Sequence, residues 1–120
     1  MLINELSKKS GVSIHTIRFY EKSGLIEGKR DDKITSNNYY HYDDMTVEKL
    51  EFISDAKSVG FTIKEIGQII DAWYNRKYTK KQKLEILEDK LTSLEQKMKE
   101  IKEMKKQILQ FKDDVVNDRC

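Results

Sequence analysis

At 120 residues, with 37% charged and 38% hydrophobic side chains, the chain has the length of one ordinary domain and apolar content for a modest core only. Proline is absent and glycine occurs five times, which excludes collagen-like and linker architectures and favours long helices. A net charge of +2 is too small for a nonspecific nucleic-acid binder, so any DNA site must come from where the cations stand.

No apolar run approaches the roughly 18 residues of a membrane span, and the opening MLINELSKKSGVS lacks the apolar stretch of a secretory signal. The expectation is a soluble, cytoplasmic protein with no membrane partner. A single cysteine, Cys120, leaves no intramolecular disulfide and no multi-cysteine metal site within one chain.

Leu2, Ile3 and Leu6 are spaced for a short first helix from Asn4 to Ser10. Gly11-Val12 then makes a turn, Ser13 is a good N-cap, and a second helix runs from Ile14 to Ser23 until Gly24 closes it. Helix, glycine turn, helix in so short a span is a helix-turn-helix pattern. At about 100° per residue, Ile14 and Ile17 share one face with Tyr20 at its edge. His15, Thr16 and Phe19 point the other way, with Arg18 beside them. That outward set supplies a base-edge reader, a hydroxyl and a cation for a sugar–phosphate backbone. The plainer alternative is a solvated helix face with one stray aromatic.

In residues 27–42, Lys29, Arg30 and Lys33 cluster, Ser36-Asn37-Asn38 signals a turn, and Tyr39, Tyr40 and Tyr42 favour extended chain. The pattern predicts a two-stranded wing whose cations and tyrosines suit a nucleic-acid backbone. Alternatively, the tyrosines pack on the preceding helices. A third helix is expected from Asp43-Asp44 to about Val59, with Val47, Leu50, Phe52, Ile53 and Ala56 as its apolar stripe and Gly60 at its end. Thr62 to Glu65 forms a capping box that opens a fourth helix, carrying Ile63, Ile66, Ile69 and Ile70 inward. Trp73, Tyr74 and Tyr78 follow as an aromatic cluster. It either lines a small hydrophobic effector pocket with a partner's coil or packs a hinge.

The texture changes near Tyr78. From Thr79 to Lys112 the pattern is a coiled coil in which Leu84, Leu87, Leu91, Leu94, Met98 and Ile101 alternate by three and four residues. Strict register would fall next on Lys105. Instead Met104, Ile108, Phe111 and Val115 continue after a three-residue step. Such a helix cannot bury its seam alone, so a partner is required, and self-pairing into a two-fold dimer is the simplest solution. No Ser/His/Asp or Cys/His constellation and no glycine-rich phosphate loop occurs, so the chain reads as neither an enzyme nor a cofactor protein.

Four segments now bear comparison with a known family. SIHTIRFYEKSGLI (Ser13 to Ile26), Tyr42-Asp43-Asp44, Leu50-Glu51-Phe52-Ile53 and Gly60-Phe61-Thr62-Ile63-Lys64-Glu65-Ile66 together resemble MerR-type transcription regulators, in order and at nearly the family spacing. The long last helix is similar to that family's antiparallel dimerisation coil. The resemblance implies a mainly α fold: a winged helix-turn-helix head over residues 1–72, then a linker, dimerisation coiled coil and short C-terminal tail over 73–120. It implies a homodimer bound to a pseudo-palindromic operator inside a promoter with an over-long spacer. That DNA is bent and untwisted for RNA polymerase in response to an unidentified effector.

By the same resemblance, the DNA-contacting positions are Ser13, His15, Thr16, Arg18, Phe19 and Tyr20, with Lys29, Arg30, Lys33, Tyr39 and Tyr42 on the wing. His15 and Thr16 are the groove contacts and the others face phosphate. Leu84, Leu87, Leu91, Leu94, Met98, Ile101 and Ile108 form the dimer seam. The wing is longer than usual between Arg30 and Tyr39. Asn38 and Tyr40 replace the glycine and arginine of the usual Gly-Tyr-Arg-x-Tyr motif, which weakens a phosphate clamp that Lys33 offsets. Val115 stands at the first metal-sensing cysteine position and Asp55 near the aldehyde-sensing one, so no metal site is expected. Cys120 is either a redox handle or intersubunit ligand, or a tail thiol without a role. The rival to a DNA reader is a coiled-coil module whose head binds protein. Arg18→Ala separates the two, since only a DNA reader has duplex affinity to lose.

Overall fold

A computed structural model of the chain describes residues 1–30, 40–74 and 78–119, with Arg30 defined in its backbone alone. Lys33, Tyr39 and Cys120 lie outside the described residues. Helix α1 (Ile3–Ser10) ends where Gly11 turns to φ +73°, a left-handed conformation cheap only for glycine, and its N–H closes on Ser7 O at 2.9 Å. Ser7 Oγ donates to Val12 O at 2.6 Å and Val12 N–H donates to Ser10 Oγ at 3.2 Å, which ties down the turn. Ser13 then caps α2 (Ile14–Lys22), its Oγ accepting from Thr16 N–H at 3.1 Å. The helix stops in a Schellman turn: Gly24 N–H reaches Glu21 O and Leu25 N–H reaches Tyr20 O. Ser23, expected inside the helix, is its C-cap.

The wing is a ribbon of β1 (Lys29–Arg30) and β2 (Tyr40–His41), antiparallel, with Lys29 opposite His41 and Arg30 opposite Tyr40. Tyr42 follows, and its N–H donates to Met1 O at 2.7 Å. Helix α3 (Asp44–Ser58) starts at Asp43, whose Oδ1 accepts from the Thr46 N–H at 3.0 Å and from its hydroxyl at 3.1 Å. Those two bonds hold the Asp43 carboxyl below its ordinary value. Helix α4 (Ile63–Tyr74) opens with the expected capping box: Glu65 N–H donates to Thr62 Oγ1 at 3.2 Å, and Thr62 N–H donates to Glu65 Oε1 at 2.9 Å.

These helices share one core. Leu6 from α1, Ile17 and Tyr20 from α2, Leu25 and Ile26 after it, Leu50, Ile53 and Ala56 from α3 and Ile66 from α4 pack together, with Val47, Ile63 and Ile70 at the edge. A fully buried side chain such as Leu50 or Ile66 contributes roughly 1.5–3 kcal/mol. Phe52 departs from the expected stripe. Two residues from Leu50, it points off the core face and lies half-buried against Trp73 and Tyr74, ring centroids 6.3 and 6.1 Å away.

The chain forms two compact units, Met1–Tyr78 and Thr79–Cys120. The boundary expected at 72/73 falls inside α4, because Trp73 and Tyr74 still pack on Phe52. The second unit is helix α5 (Lys80–Val116), about 55 Å long at 1.5 Å per residue. Thr79 and Gln82 cap it reciprocally, with bonds of 2.8 and 3.2 Å. It runs past the expected end at Lys112, because no glycine or proline interrupts it before Asn117, whose N–H and side chain bond back to Asp113 O. Along it Leu84, Leu87, Leu91, Met98, Ile101 and Ile108 are exposed, and Leu94 is half-buried. No described helix is long and apolar enough to cross a membrane.

Candidate nucleic-acid interface

The helical pitch of α2 divides its side chains. Ile17 and Tyr20 go into the core, while His15, Arg18 and Phe19 face outward, Phe19 at 49% exposure. Ser13 Oγ accepts from the Thr16 N–H and donates its own hydrogen to Thr16 Oγ1 at 2.8 Å. The Phe19 ring is tilted 52° against that of Tyr20, centroids 5.9 Å apart. A buried aromatic thus props an exposed one beside a hydroxyl pair and a cation.

A carboxylate in the last turn of α2 ties this face to the wing. Glu21 Oε1 accepts from Gly28 N–H at 3.1 Å and from the Tyr42 hydroxyl at 3.0 Å, so one oxygen holds both ends of the ribbon. Burial, and then the bond and charge of Glu21, push the Tyr42 hydroxyl up to about 12, so it stays protonated and donating at neutral pH. Gly28 is required at this crossing. A Cβ there would lie 2.8 Å from Tyr40 Cβ, 2.9 Å from Glu21 Oε1 and 2.9 Å from Tyr42 Cε1. Arg18, Glu21 and Tyr40 line the hollow between α2 and the wing on both of its sides.

Of the DNA-contacting positions expected from the sequence, Ser13, His15, Arg18, Phe19 and Lys29 are exposed and Thr16 partly so; Tyr40, expected only as a departure from the motif, is exposed as well. Three expectations need correction. Tyr20 and Tyr42, each 4% exposed, belong to the core and support the surface without facing phosphate. Phe19 is exposed, but a phenyl ring carries no donor for a phosphate oxygen. Glu21 and Gly28 were missed. Glu21 stood inside the resembling run with no role assigned, and its bond to Tyr42 spans 21 positions, beyond any local pattern. The one available signal was a glycine immediately before the first wing strand.

Farther along, Trp73 and Tyr74 lie on Phe52, with Lys49 Nζ 5.3 Å from the Tyr74 ring centre. The Tyr78 hydroxyl donates to Asp71 Oδ2 at 3.1 Å, which raises its pKa. Among the described residues no group of three or more His, Cys, Asp or Glu is placed to hold a metal ion.

A family model described as "MerR HTH family regulatory protein" matches residues 1–73, and one described as "MerR, DNA binding" matches 47–111. The chain is 38% identical over 76 residues to "Heavy metal-dependent transcription regulator 2" of Rhizobium meliloti (strain 1021), covering 63% of this chain and 50% of that protein. It thus spans about half the length of the curated relatives it matches. Its fold is that of the lead(II)-bound transcription regulator PbrR691 from Ralstonia metallidurans CH34, with a TM-score of 0.81, 24% identity, and coverage of 95% of this chain and 86% of that one. It is similar also to HiNmlR, a regulator lacking its sensor domain and bound to promoter DNA, with a TM-score of 0.61, 22% identity, and coverage of 86% and 76%.

Proposed function

The chain belongs to the MerR family of helix-turn-helix regulatory proteins, and on that premise we propose that it binds promoter DNA as a homodimer and distorts it in response to an effector. Its relatives are transcription regulators and not enzymes. The observation that carries the reading is the outward face of α2, with Ser13, His15, Thr16 and Arg18 on a helix locked to its wing through Glu21. In this reading α2 enters the major groove, His15 and Thr16 meet base edges, and Ser13, Arg18, Lys29 and Tyr40 meet the sugar–phosphate backbone.

The exposed seam of α5 supplies the dimer, whose two-fold axis matches a dyad operator. With that operator inside an over-long promoter spacer, an effector that changes head-to-head geometry changes DNA twist, and RNA polymerase meets its two elements in register. Trp73, Tyr74 and Tyr78 are the candidate effector-responsive residues. Soft-metal sensing is not part of the proposal, since by the resemblance Val115 stands at the first position where metal-sensing members carry cysteine.

A hydroxyl-radical footprint on the DNA upstream of the chain's own gene tests this. The expected result is two protected patches related by a dyad, and no protection at micromolar protein overturns it. Arg18→Ala should weaken specific and random duplexes alike and lower the salt slope by about one per site, while His15→Ala should narrow the gap between them.

A further inference from the structure

We propose that Thr16 and Phe19 form a thymine reader, in which a hydroxyl left to donate stands beside an aromatic ring that takes up the thymine methyl group. The proposal rests on the promoter-binding reading above and sharpens it. Thr16 and Phe19 are three residues apart on α2 and so are neighbours on its surface. Ser13 Oγ and Thr16 Oγ1 share a hydrogen bond of 2.8 Å, and with Ser13 as its donor one acceptor position of Thr16 is occupied while the threonine keeps its hydrogen for a ligand. In the proposed reader Thr16 meets the base in that arrangement, as a donor. Phe19 meets it as an apolar surface, half exposed yet held by the buried Tyr20 ring at 5.9 Å, so little freedom is lost on contact.

The four bases answer this pair differently in the major groove. Thymine shows the O4 acceptor next to a C5 methyl, which matches a donor beside an apolar ring. Guanine satisfies the hydroxyl through N7 or O6 and offers the ring no methyl. Adenine sets its N6 amino group against the ring, and cytosine sets its N4 donor against the threonine donor. Only thymine satisfies both side chains. The assignment also gives Phe19 a partner that its chemistry allows, where phosphate does not.

The test selects bound duplexes from a random library with the full chain, then resynthesises them with deoxyuridine for thymidine at single positions. This removes the methyl and keeps O4. At one thymine in each half-site, wild-type affinity should fall about fourfold, the effect of one buried methyl group. Phe19→Ala should bind the thymine and uracil duplexes equally. Placing 5-methylcytosine at that position keeps the methyl but turns the acceptor into a donor. It should cost the wild type at least about fivefold, and Thr16→Val much less.

The inference is overturned if no uracil substitution affects the wild type, a measurement that needs no variant to fold. It is overturned also if the uracil penalty persists in Phe19→Ala, or if Thr16→Val weakens every duplex equally, as a phosphate contact would. Enrichment without methyl dependence sinks this inference alone. No enrichment at all sinks the promoter-binding reading and takes this one with it.

Discussion

In the unit Met1–Tyr78, Leu6, Ile17, Leu50, Ile53 and Ile66 close on one another and lose contact with water, whereas along α5 Leu91, Met98, Ile101 and Ile108 are each more than half exposed. The first unit satisfies its apolar surface within one chain. The second carries apolar side chains at coiled-coil spacing and leaves them exposed, and in the proposed reading a second chain covers them. If the first unit reads DNA and the second assembles, as proposed, the two tasks draw on separate stores of burial. Damage to one should leave the other standing.

The sharpest break between them comes from α5. Replacing Leu91 and Leu94 together by lysine should dissociate the dimer, because each buried leucine is worth about 1.5–3 kcal/mol and two are lost from each chain. Sedimentation at micromolar concentration should then report monomer, while denaturation of the head should be unchanged. Leu50→Ala attacks the other store. It should destabilise the head by about 2–5 kcal/mol in urea unfolding and leave the sedimentation of the dimer intact.

A smaller effect is expected at the wing. Glu21→Ala leaves the Tyr42 hydroxyl and the Gly28 N–H without their common acceptor, at about 1–3 kcal/mol. Operator affinity should fall with it, since the wing loses its tie to α2. Glu21→Gln keeps an acceptor oxygen and should restore most of both.

The smallest effect is at Asp43, where Asp43→Ala removes an N-cap worth about 0.5–2 kcal/mol. The sign of its pH dependence follows from a folded pKa lying below the ordinary 3.8. The stabilisation is whole above the unfolded value and fades as pH falls through the folded one. The difference between wild type and Asp43→Ala in urea unfolding should therefore be constant near neutrality and shrink once the pH drops below about 3.8.

What could be read from the chain alone was whatever its physics kept local. Ser13 and Thr62 are caps whose partners lie three residues on, and the structure makes both bonds; Asp43 and Thr79, read only as starts, cap their helices in the same way. Leu50, Ile53 and Ala56 repeat at helical spacing and are buried together. The errors lie where a side chain answers to something distant. Tyr42 looked like one more wing tyrosine because its partner, Glu21, is on another element. Phe52 looked like core because the rings it meets belong to α4. The outward face of α2 was legible as geometry. The pairing of its hydroxyls was not, since nothing in a sequence says that Ser13 Oγ and Thr16 Oγ1 come within 2.8 Å.

The central claim joins the two units: a head that reads duplex DNA, delivered in pairs by α5. Native mass spectrometry of the full chain bound to the duplex recovered by footprinting tests it most directly. The account predicts a complex of two chains on one duplex, which gives way to weakly bound single chains in the Leu91→Lys, Leu94→Lys double variant. A single wild-type chain bound to that duplex with undiminished affinity would contradict it.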